Sequence, residues 1–149
     1  MVIHKVKIKD YWLNKVDEMV SEGDLIIEVD GYLLEAFVTD SELLYALDEG
    51  KIKQNDIVEI NLSVLDFYIR RVGINKKMIE SLGGDHHLFI GEVKKKWTRK
   101  DILGDEIERI CFDCGVVLET GWENKYGVFD ELKEGSYILV IGRLDAYLP

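Results

Sequence analysis

The stretch DIVEINLSVLDFYIRRV, residues 56–72, decides the reading of this chain. Val58, Ile60, Leu62 and Val64 fall on one side of an extended strand, and Glu59, Asn61 and Ser63 fall on the other. A period of two marks a β-strand with one face toward a core, because successive side chains leave opposite faces. The alternation slips at Val64-Leu65, where both faces turn apolar, and Phe67 and Ile69 then carry the apolar face onward. A slip of one residue in a long strand is what a β-bulge or sharp bend produces, and such bends let a sheet curl toward a barrel.

Working outward, Leu25–Val38 reads as a β-hairpin, LIIEV and YLLEAFV flanking Asp30-Gly31. Asp-Gly supplies the positive φ angles that a type I′ turn requires. Val2–Ile8, His87–Val93, Glu106–Phe112, Val116–Thr120 and Ser136–Tyr147 read as further strands. Two or three helices are expected. Asp10–Ser21 sets Leu13, Val16, Met19 and Val20 on one stripe. Ser41–Glu49 starts after an Asp40/Ser41 cap, carries Leu43, Leu44 and Leu47, and stops at Gly50. Asn75–Leu82 is a short third one, ended by Gly83-Gly84. Tight turns between adjacent strands favour antiparallel pairing, and a sheet of this size must close or be covered. The expected fold is mainly β, a small β-barrel with two or three short helices; the alternative is an α+β protein with a helix-covered antiparallel sheet.

At 149 residues, with 47% hydrophobic and 32% charged residues, the chain fits one soluble domain over residues 1–149. Its single Pro is the last residue, so no Pro-rich linker divides it. The longest apolar runs, such as Ile138–Ile141, are far too short to cross a bilayer, and no membrane association is expected. The start, Met1-Val2-Ile3-His4-Lys5, lacks the apolar core of a signal peptide, so a reducing, cytoplasmic setting is expected.

The closing stretch Leu132–Asp145, LKEGSYILVIGRLD, has a Gly-ended loop, an apolar strand and a Gly-Arg close. It resembles the entry and late strand of OB-fold barrels over roughly fourteen residues. The resemblance implies a surface groove for single strands, oligosaccharides or protein segments, and it transfers no catalytic residues. The Asp30-Gly31 hairpin and the early helices would be additions to a simple five-strand barrel.

Charge is sorted along the chain. Residues 17–66 hold fourteen carboxylates against Lys51 and Lys53, whereas residues 70–100 hold nine cations against Glu80, Asp85 and Glu92. On a body of net charge −10 a locally cationic segment is a concentrated exception. Its centre, Lys94-Lys95-Lys96-Trp97-Thr98-Arg99-Lys100, sets an indole among cations, and Tyr68, Arg70 and Arg71 extend it. Cations for phosphates and aromatic faces for bases are the ingredients of single-stranded nucleic-acid binding. The plainer reading is a solvated lysine-rich strand that resists edge-to-edge pairing, with Trp97 half-buried. A rival function uses the acidic region, with Glu18, Glu22, Asp48 and Glu49 exposed on helices, to cover a basic protein partner as an immunity-type protein does.

Two smaller constellations remain. Cys111-Phe-Asp-Cys114-Gly115 lies between two strand segments, where a hairpin tip would aim both thiolates at one zinc ion. A closed site needs four ligands and there is no second pair, so an ordinary turn is the competing reading and no other cofactor is expected. Gly83-Gly84-Asp85-His86-His87 could serve acid–base chemistry. No GxSxG, HExxH, Walker-type or GxGxxG motif accompanies it, so the enzyme question leans to no.

Overall fold

The slipped alternation of residues 56–72 becomes one long strand, β4 (Ile57–Val72), in the computed structural model, which describes residues 2–122 and 128–149. Its companions are β1 (Ile3–Val16), β2 (Met19–Val29), β3 (Tyr32–Val38), β5 (Met78–Gly83), β6 (His86–Lys100), β7 (Glu106–Asp113), β8 (Val117–Trp122) and β9 (Tyr137–Tyr147). Among the described residues only α1 (Ser41–Asp48) is a helix longer than one turn; α2 (Val128–Glu131) is four residues. The chain is therefore mainly β.

β4 and β9 run antiparallel from Asn61↔Tyr147 to Val72↔Tyr137, with one register shift between Asp66 and Tyr68. The anticipated slip is thus a bulge two residues later than the sequence places it. The side chain of Phe67, expected to carry the apolar face onward, lies outside the described residues. The rest of the sheet hangs on this pair. At one end β1 pairs with residues 57–61 of β4, β2 with β1, β3 with β2, and β3 meets β9 in parallel at Phe37↔Asp145. At the other end β8 meets β4 in parallel at Ser63 and Val64, β7 joins β8 to β6, and β6 pairs with residues 137–143 of β9. The sheet thereby closes in a ring.

One face supplies one core. Ile60, Leu62 and Val64 of β4 and Ile138, Val140, Leu144 and Ala146 of β9 face inward together. Leu25, Ile27, Leu34 and Ala36 meet them from one end, and Phe89, Ile110, Phe112 and Leu118 from the other. Phe89 and Phe112 touch edge to face, centroids 6.2 Å apart, an arrangement the ring quadrupoles favour. Leu43, Leu44 and Leu47 of α1 are buried in the same cluster.

Where β1 gives way to β8, and β3 to β6, the ladder is interrupted. Each gap is bridged by a histidine ring. His4 Nε2 lies 2.6 Å from the Val117 carbonyl, and His87 Nε2 lies 2.8 Å from that of Glu35. A buried carbonyl left without a donor would cost about 1–3 kcal/mol, which these rings avoid.

The Asp30-Gly31 hairpin forms as expected, with φ of 50° and 82° in the turn. Ser41–Glu49 is helical through Asp48 and ends before Gly50. Asp40 makes no side-chain cap, however: its Oδ2 accepts the Leu148 N–H instead, tying the last strand to the helix start. The other two expected helices are strands. Residues 10–21 are the β1–β2 hairpin, whose turn places Asp17 and Glu18 at φ 51° and 66° without a glycine to announce it. Leu13, Val16 and Val20 fit a helical stripe, but the ladder to Glu22, Gly23 and Asp24 decides. Residues 78–83 form β5, because Gly83-Gly84 is a hairpin turn to β6 and not a helix end.

The closest approach in the β4–β9 pair fixes one prediction. A Cβ at Gly142 would lie 2.1 Å from the Leu65 carbonyl oxygen and 2.9 Å from a Val64 methyl. Gly142→Ala must push the two central strands apart, and overpacking of this kind costs about 1–3 kcal/mol. Urea denaturation should show a lower midpoint by that amount; an unchanged midpoint would mean the ladder yields freely there.

Candidate functional site

A second bulge builds the site. The register of β6 against β7 shifts between Val93 and Lys95. Beyond it Lys95, Trp97 and Arg99 share the outer face with Cys111 and Arg109 of β7, while Lys96 falls opposite the core residue Ile110. Glu119 of β8 is the cross-strand neighbour of Cys111 and sits beside Ser63 of β4. Tyr147 enters from the end of β9.

These side chains line two adjoining cavities. One, of about 400 Å³, is bounded by Val2, Lys95, Trp97, Cys111 and Glu119; the other, of about 270 Å³, by Trp97, Arg99, Arg109, Glu119 and Tyr147. Trp97 and Glu119 belong to both, so the two form one trough. The Lys95 ammonium lies 5.7 Å above the Trp97 ring centroid, within cation–π range. The Glu119 side chain is only 5% exposed, and its Oε2 accepts from Arg109 Nη2 at 3.3 Å. That pairing offsets part of the cost of burying a carboxylate. Burial pushes the Tyr147 hydroxyl and the Cys111 thiol up from their ordinary values, in both cases with Glu119 as the next cause, so both stay protonated at neutral pH.

The expected nucleic-acid patch is thereby divided. Lys95, Trp97 and Arg99 line the trough. Lys94 is tied to Glu92, and Lys100 stands exposed opposite Glu106. Tyr68, Arg70 and Arg71 lie on the far half of β4, away from the trough. The Arg70 guanidinium is 5.9 Å from the Tyr68 ring centroid, and Arg71 borders a separate open cleft of about 500 Å³ beside Gly73, Gly135 and Tyr137. Arg109, Glu119 and Tyr147 were not anticipated. Each comes from a different strand, and no local pattern in the sequence announces their meeting.

The two cysteines do not share a setting. Both thiols are free. Cys111 borders the trough, whereas Cys114 is wholly buried, with Sγ 3.2 Å from the Val116 carbonyl. Burial pushes the Cys114 thiol up to about 12. Among the described residues no three His, Cys, Asp or Glu side chains converge on a point that would hold a metal.

Elsewhere, the turn between β5 and β6 brings Asp85 to Asp24 of β2, and their carboxyl groups hydrogen-bond to each other. Carboxylates only accept, so this hydrogen bond needs the proton on Asp24. Burial first, then Asp85, Glu35 and Glu22, raise the Asp24 carboxyl to about 6. Asp85 Oδ1 also lies 2.8 Å from His86 Nδ1. Arg143, stacked 4.2 Å from the Phe37 ring, is held by both oxygens of Asp145. His87 is 2% exposed and burial lowers its pKa, so the ring is neutral. Since a carbonyl accepts only, the proton sits on Nε2, facing Glu35. His87 is a bridge between strands and not a solvent-facing base.

Compared with models of known families and with curated proteins, the chain matches none.

The carboxyl pair sets the sign of a pH effect. A pKa near 6 in the fold against 3.8 unfolded means the fold holds the extra proton between those values. Stability from this proton is complete below about pH 4 and is lost as pH rises through 6. Asp24→Asn keeps a hydrogen bond to Asp85 without the ionisation. It should stabilise the chain by on the order of 1 kcal/mol at pH 7, after allowance for solvent screening, and by little at pH 4. Urea titrations of both proteins across that range measure the difference; curves that stay parallel would refute it.

Proposed function

We propose that the chain is a small OB-like barrel that binds single-stranded nucleic acid without catalysing a reaction. The order β1-β2-β3-β9-β4, closed by β4–β1, gives five strands around one interior, with α1 between the third and fourth in sequence. A five-strand Greek-key ring of this kind is the frame of OB-type binding modules. In this reading β5, β6, β7 and β8 are an insertion ahead of the final strand, and the insertion carries the binding groove.

One observation supports the function above the others: Trp97 and Tyr147 line the same cavity as Arg99 and Arg109, with Lys95 beside Trp97. Aromatic faces can stack bases at about 1–3 kcal/mol each while the cations follow the phosphates. Lys95 and Arg99 of β6 share the outer face with Arg109 of β7.

The rival, an acidic surface for a basic protein, has a narrower footing. Asp48 is paired with Lys15 and Glu49 with Lys51, and Glu18 and Glu22 sit on the β1–β2 hairpin instead of a helix. What favours it is the Asp24, Asp85, Glu35 and Glu22 cluster, which at neutral pH holds more negative charge than the nearby Arg143 balances.

Fluorescence anisotropy with a labelled single-stranded oligonucleotide tests the leading reading. With about three cations engaged, affinity should fall about tenfold or more as salt rises fourfold. The double reversal Lys95→Glu with Arg99→Glu should abolish binding while leaving the melting temperature within a few degrees. Binding that persists in the double variant, or none in the wild type at low salt, would overturn it.

A further inference from the structure

We propose that the chain forms a two-fold dimer through β5, the open edge of the sheet; this goes beyond the single-strand reading and does not depend on it. Among the described residues every other strand has two partner strands or more, whereas β5 pairs with β6 alone. An unpaired edge offers a row of N–H and C=O groups to another strand. Proteins commonly blunt such edges, and this one is short, with a register shift between Ser81 and Gly83. Its side chains nevertheless suit one occupant, a second copy of the same strand.

Ile79 packs against the core, so Met78 and Glu80 fall on the outer face of β5. Residues 73–77, just ahead of it, belong to no strand and are exposed. Continued in both directions, the alternation puts Ile74, Lys76, Met78, Glu80 and Leu82 on that outer face. Ile74 is 56% exposed and Leu82 51%. Among the described residues Lys76 and Glu80 have no ion pair, whereas the neighbouring Lys77 is held by Asp113. The face thus runs apolar, basic, apolar, acidic, apolar, and it complements itself when reversed. In an antiparallel pair turned about Met78, Ile74 stands opposite Leu82 of the second copy, Lys76 opposite its Glu80, and Met78 opposite its Met78. Residues directly opposite on one face interact, unlike charges favourably and like charges unfavourably. Turning the pair about Lys77 or Ile79 instead would set Lys76 and Glu80 against apolar residues. Charge therefore selects the Met78 register. Residues 74–77 would extend β5 as they pair. The contact is isologous and closes after two chains, so the edge is covered without growth into a fibre. Such a dimer carries two troughs, one on each copy.

The test is sedimentation equilibrium of the full chain over rising concentration, which should show a monomer–dimer equilibrium. Lys76→Glu sets two carboxylates against each other on both sides of the axis, and Glu80→Lys does the same with two ammonium groups. Each variant alone should dimerise about tenfold or more weakly than the wild type. Mixed in equal amounts, the two variants should form a heterodimer of about wild-type strength, because unlike charges again face each other at both positions. Both positions are exposed, and melting curves check that each variant folds as the wild type does. A wild type that stays monomeric at every concentration would overturn the dimer. A dimer unchanged in both single variants would place the contact elsewhere and overturn the β5 pairing. Two weakened variants that gain nothing on mixing would overturn the Met78 register. Lys76 and Glu80 stand outside the trough, so failure here leaves the single-strand reading standing, and the oligonucleotide titration reports on that reading separately.

Discussion

Everything in this molecule is registered against the antiparallel pairing of β4 with β9. Eleven residue pairs run along it, and each outer edge of the pair serves two different strands in succession. β4 gives its first residues to β1 and the next to β8; β9 gives its end to β3 and its beginning to β6. Because both successions occur on the same face, the two sets of three strands enclose one interior. The close approach at Gly142 and Leu65 is a consequence, for two long strands with a bulge between them leave no room for a side chain there. So are the histidine bridges: wherever one neighbour leaves the edge before the next arrives, a carbonyl loses its ladder partner, and His4 and His87 supply donors.

The groove inherits its geometry from that pairing. Tyr147 stands at the last rung of the β4–β9 ladder, opposite Asn61, and Glu119 is set by the two-residue parallel contact of β8 with β4. The bulge after Val93 reverses the parity of β6, so that odd-numbered residues face outward beyond it. Without it, Lys94, Lys96 and Thr98 would take the places of Lys95, Trp97 and Arg99. A single inserted residue thus decides which side chains meet Arg109 and Glu119, and the pocket is as rigid as the sheet that carries it.

Much of the frame is legible in the residues alone, and the reason is local. Alternation in residues 56–64, the Asp30-Gly31 turn and the apolar run at 138–141 each state a strand through neighbours in sequence. The failures share a cause as well. Residues 10–21 satisfy a helical stripe and a hairpin equally, and the turn at Asp17-Glu18 adopts positive φ without glycine or asparagine, so Asp17 alone marks it. Residues 75–82 are followed by a glycine pair that ends a helix or turns a hairpin with equal ease; the pairing of Met78 with Ile90 settles the matter and involves residues twelve apart. Half of the candidate trough is legible in the sequence. Lys95, Trp97 and Arg99 lie within one run, whereas Arg109, Glu119 and Tyr147 reach them only through cross-strand register, which no single stretch encodes.

The sorting of charge along the chain changes meaning once the strands are paired. The cationic run of β6 is laid against the most acidic part of β7, Lys100 opposite Glu106 and Thr98 opposite Glu108. Lys94 is held by Glu92, and Lys77 by Asp113. Part of the local excess is therefore spent on neighbours. What survives is set by parity and not by composition: on the outer face beyond the bulge stand Lys95, Arg99 and Arg109, with Glu119, among the described residues, as the one carboxylate lining the trough. At physiological salt, charges beyond about 8 Å are largely screened from one another, so a ligand in the trough senses this row and not the acidic body behind it. An acidic protein can in this way keep a cationic groove, provided the sheet turns the right alternate residues outward.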